Sequence, residues 1–317
     1  MRSSSALFPV SLIATEILGD LHDDAYLLNP RVSPDPGVRI AVSRITDPAW
    51  QGPRTPVVLL HSEFNNRHQW IGNSTQGIAR QLARAGFDVW LPEMRGHGRS
   101  PRNPQWQGNQ LEHYAQEDWP AVQRFVVEQS GEPFWVAQGL AVQSLVRMLL
   151  DRPKHQARVR GVVFVEPGQK TQHWLQRSLS RRERWRLSRQ VSLSGPWGPE
   201  EEPAAFIAGV LATQSKHRRS DDHPVYDQLR GIRNDSLVIS NGNDDQVRVF
   251  SGLLGAQSRD LLLRHGSLPE AVPGSGVGFA GGAAACQAPD SLLTVTLLEW
   301  LQQRCQSTPA SAAREAQ

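Results

Sequence analysis

Two titratable residues in the later part of the chain could act together as a proton acceptor. Asp245 follows the apolar run at residues 237–239, and His265 comes two residues after the end of the run at 261–263. A histidine held by a carboxylate is a competent general base, which can activate water or remove a proton from a substrate. The pair gives one hypothesis for function, a catalyst that works without a nucleophilic side chain.

Both residues would have to be positioned by a strand–helix alternation that runs from about residue 38 to residue 304. Apolar or β-branched runs predict strands, and periodic apolar faces predict the helices between them. This alternation predicts an α/β fold with a mostly parallel central sheet, covered by helices on both faces. Ligands in such sheets bind at the carboxyl ends of the strands. The predicted strands are at 38–42, 56–60, 87–91, 134–137, 162–165, 237–239 and 261–263.

The segment from 167 to 229 breaks the alternation. It is rich in Trp, Arg and Pro, and it carries an arginine cluster at 181–186 and three glutamates at 200–202. Because it lies between two predicted core strands, we expect an insertion that folds as a helical lid. The core then comprises residues 21–166 and 230–304, and residues 305–317, rich in Ala, Ser and charged residues, are expected to be a disordered tail.

Composition excludes several classes of protein. The 317 residues have a formal net charge of +3, and the positive charge is spread along the chain, so we expect no nucleic-acid partner. Two cysteines cannot support a disulfide framework, and without a CxxC or HExxH motif we expect neither a metal nor a cofactor. No apolar run is long enough for a transmembrane segment. Residues 1–20 faintly resemble an export signal, but Pro9 interrupts the apolar stretch, so a cytoplasmic location is expected.

Two loops after predicted strands resemble those of the α/β-hydrolase superfamily, in its serine esterase and lipase branch. His61, Ser62, Glu63 and Phe64 resemble the His-Gly loop, whose backbone N–H groups form half of the oxyanion hole. Ser62 stands where the family usually has glycine, and Glu63 brings a carboxylate to a site that stabilises negative charge. Residues 91–100 resemble a second loop, Asp-x-Arg-Gly-x-Gly-x-Ser, with Glu93 for the aspartate; its role is structural, and His97 is expected to be exposed.

The third match concerns the nucleophile. In the family a strand runs into Gly-x-Ser-x-Gly and then a helix, and the serine lies on the strained turn between them. Here Ala137, Gln138, Gly139, Leu140 and Ala141 occupy these positions, so the resemblance places Gly139 where the serine would be. Ser144 lies too far into the following helix to replace it. Residues 114–121 resemble the segment before this turn in acid-lipase-like and polyhydroxyalkanoate-synthase-like branches.

The fourth match concerns the acid and the histidine. Residues 237–247 resemble the strand and Gly-x-x-Asp turn that carry the family's acid, which corresponds to Asp245. The histidine should follow, and only His265 does. The local pattern at 276–282 is closer to the family's Gly-x-Gly-His-x-Gly and puts Phe279 at the histidine position.

The resemblance therefore implies a protein of serine-esterase ancestry that lacks its nucleophile. We expect a lidded pocket for an apolar or ester-like small molecule, or for a partner protein. The alternative is an active hydrolase, or a catalyst without an acyl-enzyme, that uses His265 and Asp245. Electrostatic binding of nucleic acid or membrane through the lid arginines is the weakest of the hypotheses.

Overall fold

The computed structural model describes residues 3–72, 77–167, 192–193, 198–217, 228–241, 245–264 and 292–307. Strands and helices alternate along most of these residues. The strands are β1 Val10–Leu18, β2 Leu21–Leu28, β3 Ile40–Thr46, β4 Thr55–Leu60, β5 Phe87–Pro92, β6 Phe134–Gln138, β7 Gly161–Val165, β8 Ser192–Leu193, β9 Glu202–Pro203, β10 Ser236–Asn241 and β11 Arg259–Arg264.

The α-helices lie between and after these strands. They are α1 His68–Ile71, α2 Ile78–Arg84, α3 Leu111–His113, α4 Trp119–Ser130, α5 Ala141–Asp151, α6 Pro153–Gln156, α7 Ala204–His217, α8 Asp245–Leu253 and α9 Leu292–Ser307. A π-helical turn, Tyr114–Asp118, joins α3 to α4. None of the described helices combines the length and the hydropathy needed to cross a membrane.

Nine of the strands form one sheet in the order β1-β2-β3-β5-β4-β6-β7-β10-β11. The strands from β5 to β11 in this order are parallel, whereas β1, β2, β3 and β5 pair in antiparallel fashion. The predicted α/β class and mostly parallel sheet are confirmed. Four strands were not predicted: β1 and β2, which extend this sheet at one edge, and the short strands β8 and β9, which pair with each other.

The parallel strands are buried on both faces, because successive side chains of a strand point to opposite sides. In β4, Val58 and Leu60 pack with α4 and α5, whereas Val57 and Leu59 pack with α2 and α9. The helices thus cover the sheet on both sides. Because β4, β5 and β6 pair in parallel, their carboxyl ends lie together at one edge of the sheet.

The predicted lid lies largely outside the described residues, including the arginine cluster at 181–186. Of its described part, α7 buries Phe206, Ile207 and Val210 in the main core cluster. At the other end, α9 continues to Ser307 and so extends into the segment predicted to be a tail.

Candidate functional site

The bend between β6 and α5 is made by Gly139. Its φ of 62° lies in the left-handed region, where glycine carries no steric penalty and other residues do. Its backbone N–H donates to the carbonyl of Val165 on the neighbouring strand β7, at 3.1 Å. The bend is therefore tied to the sheet, and its residue has no side chain to present.

The space beside Gly139 is filled by the carboxylate of Glu63. A Cβ atom at position 139 would lie 2.7 Å from Glu63 Oε2 and 3.1 Å from the Cβ of Ser62. The same Oε2 accepts the backbone N–H of Leu140 at 3.0 Å, and Glu63 is buried. Leu140 immediately precedes α5, and the amino terminus of a helix favours a nearby negative charge. Glu63 thus fills the space that a side chain at position 139 would need, and it also accepts the N–H of Leu140.

Gln69 connects Ser62, in the loop after β4, to Gln138 at the end of β6. The Ser62 hydroxyl and backbone N–H both donate to Gln69 Oε1, each at 2.9 Å. The amide of Gln69 donates in turn to Gln138 Oε1 at 2.5 Å. All three residues are buried, so this chain of hydrogen bonds fixes the loop after β4 against the end of β6.

Phe64 has a left-handed backbone, with a φ of 58°, and it is held by a segment far away in the sequence. Its N–H donates to Glu202 Oε1 at 2.8 Å, and its carbonyl accepts the N–H of Glu200 at 3.0 Å. A Cβ at Gly198 would lie only 2.1 Å from the Phe64 carbonyl oxygen, so this close approach requires glycine. The charged oxygen of Glu202 therefore binds a second backbone N–H group near the bend.

Two buried histidines stack beside these loops, with ring centroids 5.4 Å apart. His61 Nδ1 donates to the carbonyl of Ser62 at 2.8 Å, and its Nε2 accepts the N–H of Met94 at 3.1 Å. Both ring nitrogens are thus satisfied in the neutral form. Burial, together with the nearby His97, lowers the pKa of His61 to about 3. His61 therefore connects the loops after β4 and β5 as a neutral ring.

The surroundings of His97 favour its charged form, unlike those of His61. Its Nδ1 donates to the carbonyl of Asn65 at 2.9 Å, and its Nε2 lies 3.5 Å from Glu202 Oε2. Burial lowers the pKa of His97, but the carboxylates of Glu202 and Glu200 outweigh that effect and raise it above its ordinary value. The prediction that His97 is exposed is wrong: the side chain is fully buried, between His61, the carbonyl of Asn65 and the carboxylate of Glu202.

Buried charges also hold the loop that carries His97. Glu93 accepts the N–H groups of Arg67 and Arg99, at 3.2 and 3.0 Å, and burial raises its pKa. Arg95 forms an ion pair with Asp118 at 2.7 Å. Burial raises the pKa of Asp118 to about 6 even though Arg95 opposes this shift. These contacts agree with a structural role for the loop.

The other candidates from the sequence lie in α5, in α8 or outside the described residues. Ser144 is buried in α5, where its hydroxyl donates to the carbonyl of Ala141 and accepts the indole N–H of Trp119, both at 2.9 Å. Asp245 is the first residue of α8, and its side chain is not among those described. His265 and Phe279 lie outside the described residues, so the suggested Asp245–His265 pair stays a prediction.

The structure adds two residues that sequence reasoning missed, Gln69 and Glu202. Glu202 gave no signal of its own, because it belongs to a run of three glutamates, and such runs are usually solvated. Together, two backbone N–H groups near the bend, those of Leu140 and Phe64, each donate to a buried carboxylate. Backbone N–H groups that are unoccupied can stabilise a developing oxyanion.

Comparison with known proteins agrees with this architecture. Residues 55–202 match the family model of the alpha/beta hydrolase fold. Human lipase member K is 31% identical over 93 residues, which are 27% of this chain and 23% of that lipase. Rat gastric triacylglycerol lipase is 33% identical over 89 residues, 26% of this chain and 22% of that lipase. The matches span less than a quarter of these lipases.

Solved structures resemble the chain over most of its length. A hypothetical protein from Pseudomonas aeruginosa has a TM-score of 0.62 at 13% identity, covering 93% of this chain and 99% of that one. A putative lipase from Sulfolobus solfataricus has a TM-score of 0.58 at 13% identity, covering 93% and 98%. At this identity the likeness concerns the fold alone. With its sheet order and the family match over residues 55–202, the chain has the α/β-hydrolase fold, and part of it is similar to lipases.

Proposed function

We propose that this protein descends from serine esterases but does not catalyse acyl transfer at the β6–α5 bend. In this proposal it retains a pocket for an apolar or ester-like small molecule, or for a partner protein. One observation carries the loss of catalysis: Gly139 presents no nucleophile, and the Glu63 carboxylate fills its side-chain space while binding the Leu140 N–H. The occupant of the pocket and the cytoplasmic location stay predictions.

Two separate losses support this conclusion. Removing the nucleophile of a well-studied serine protease lowers turnover by about 10⁶, and the remaining catalysis depends on the oxyanion hole and on binding. Removing a single oxyanion-hole donor costs a further factor of about 10²–10³. Here the N–H of the residue after the bend already binds a carboxylate, which would also repel a developing oxyanion.

The test is covalent labelling with a fluorophosphonate, together with hydrolysis of short p-nitrophenyl esters. We expect the native protein neither to be labelled nor to hydrolyse the esters. Gly139→Ser alone should restore little, because Glu63 occupies the space of the new hydroxyl. Gly139→Ser combined with Glu63→Ala frees both the space and the Leu140 N–H, so this double variant should be labelled more than Gly139→Ser alone.

Labelling of the native protein at any serine, or ester hydrolysis above the buffer rate, would contradict the proposal. If ester hydrolysis were then abolished by His265→Ala and by Asp245→Asn, the alternative catalyst without an acyl-serine would take its place. Vigorous activity in Gly139→Ser alone would show that Glu63 does not block the bend.

A further inference from the structure

Residues 198–203, called the strap below, lie across the loops that follow β4 and β5. Each of the three glutamates in the strap has a defined contact. Glu200 Oε1 accepts the side-chain amide of Asn66 at 2.5 Å and the N–H of Gly98 at 3.0 Å. Glu201 pairs with Arg102 at 2.7 Å, and Glu202 binds the N–H of Phe64 and faces His97. Carboxylate contacts therefore join the strap to both loops, in addition to the pairing of β9 with β8.

The contact between Glu202 and His97 requires a proton. The Asn65 carbonyl can only accept a hydrogen bond, so one imidazole proton is committed to Nδ1. Nε2 then points at a carboxylate oxygen 3.5 Å away. If Nε2 carries a proton, the pair is attractive; if it does not, a nitrogen lone pair faces a negative oxygen. Among the described residues, neither Nε2 nor Oε2 has another hydrogen-bond partner, and both atoms are buried.

The neighbouring titratable groups do not replace this proton. His61, which stacks on His97, has both ring nitrogens occupied in its neutral form, and its pKa of about 3 keeps it neutral. Tyr114 lies near Glu202, and burial raises its pKa well above the ordinary value, so it stays protonated. Glu200 adds negative charge close to His97 and so favours the imidazolium further.

We propose that the strap is a pH-dependent latch, closed by the imidazolium of His97 against Glu202 and released when His97 loses its proton. Release would free the Phe64 N–H and expose the loops beside the β6–α5 bend. The sign follows from linkage: because the pKa of His97 is raised in the closed form, its protonation stabilises closure fully below the ordinary pKa of about 6.5, and this stabilisation is lost as the pH rises through the closed-form pKa. This inference does not depend on the absence of catalysis.

Hydrogen exchange of two amides tests the latch. The N–H groups of Phe64 and Glu200 are held by strap contacts, and that of Val163 in β7 serves as the internal reference. Between about pH 6 and about pH 9, we expect the protection factors of the first two to fall, after correction for intrinsic exchange. The total fall should be tenfold for each unit by which the closed-state pKa of His97 exceeds the ordinary value of about 6.5. An NMR titration of His97 gives that difference independently.

Variants separate the latch from general loosening. In His97→Gln and in Glu202→Gln the pH dependence should disappear, while Val163 keeps its protection. Glu201→Gln, a matched change in the neighbouring glutamate, should keep the pH dependence, because the ion pair of Glu201 is with Arg102, whose charge does not change over this pH range. Protection that does not vary with pH in the native protein would overturn the proposal, and so would a fall that persists in both His97→Gln and Glu202→Gln.

Discussion

Two buried carboxylates bind backbone N–H groups near the β6–α5 bend, and they are compensated in different ways. Glu63 accepts the N–H of Leu140 at the start of α5, whose dipole favours a negative charge at every pH. Glu202 accepts the N–H of Phe64 and faces His97, whose charge depends on pH. The first carboxylate comes from the loop beside the bend, whereas the second comes from a segment more than a hundred residues further along the chain.

Glu63 therefore has a partner that does not depend on pH, whereas the partner of Glu202 is charged only at low pH. Nothing about the backbone dipole of α5 changes between acid and neutral solution, so Glu63 has a constant partner. His97, the partner of Glu202, can lose its charge. We therefore expect changes around Glu202 to alter the pH dependence of strap closure, and changes at Gly139 to alter stability without altering that pH dependence.

The largest effect should come from His97→Leu. This substitution leaves the Glu202 carboxylate buried without its counter-charge, and breaking a buried ion pair in this way costs about 3–5 kcal/mol. The free energy of unfolding in urea, measured near pH 6 where the native imidazole is charged, should fall by that amount. Adding Glu202→Gln to His97→Leu should recover part of the loss, since the amide oxygen can still accept the Phe64 N–H. A loss below about 1 kcal/mol would mean that the pair stabilises little.

A smaller effect is expected from Gly139→Ala. A non-glycine residue at positive φ costs about 1–3 kcal/mol, and here the new Cβ also meets Glu63 Oε2 at 2.7 Å. Gly131→Ala is the matched control, since Gly131 has a φ of 92° and open space around its Cβ position. The difference between the two losses, measured by urea unfolding, reports the contact with Glu63.

That difference should shrink when both substitutions are made in a Glu63→Ala background, because residues in contact show non-additive effects. Equal losses at positions 139 and 131 in the native background would show that Glu63 moves aside without cost. In that case Glu63 would not be a fixed occupant of the bend.

Much of the fold could be predicted because the parallel strands are buried on both faces and so appear as continuous apolar runs. The strand β1 could not be predicted in this way. Its side chains Leu12, Ile13 and Ile17 are exposed at the sheet edge, so the segment has no apolar–polar alternation and looked like a faint export signal. An edge strand takes its order from pairing with β2, and this pairing leaves little trace in the local sequence.

The contacts of the candidate site also differ in whether the sequence could predict them. The contact between residues 61–64 and 138–140 follows from adjacent strand ends, β4 and β6, and could be anticipated from the order of the sheet. The contact of buried His97 with Glu202 could not, because the two residues are far apart in the sequence and a long-range contact of this kind carries no local signal. Asp245 and His265 stay predictions of the same long-range type.

The smallest effect should come from Glu201→Gln, which sharpens the comparison within the strap itself. The ion pair between Glu201 and Arg102 is exposed on both sides, and exposed pairs contribute at most about 1 kcal/mol. Global stability should therefore change little, and the small loss should vanish in high salt because exposed charges are screened. Glu202→Gln should lower stability more and resist salt, because its partner is buried. If the two substitutions had equal effects at all salt concentrations, the strap would be held by its overall charge and not by the contact with His97.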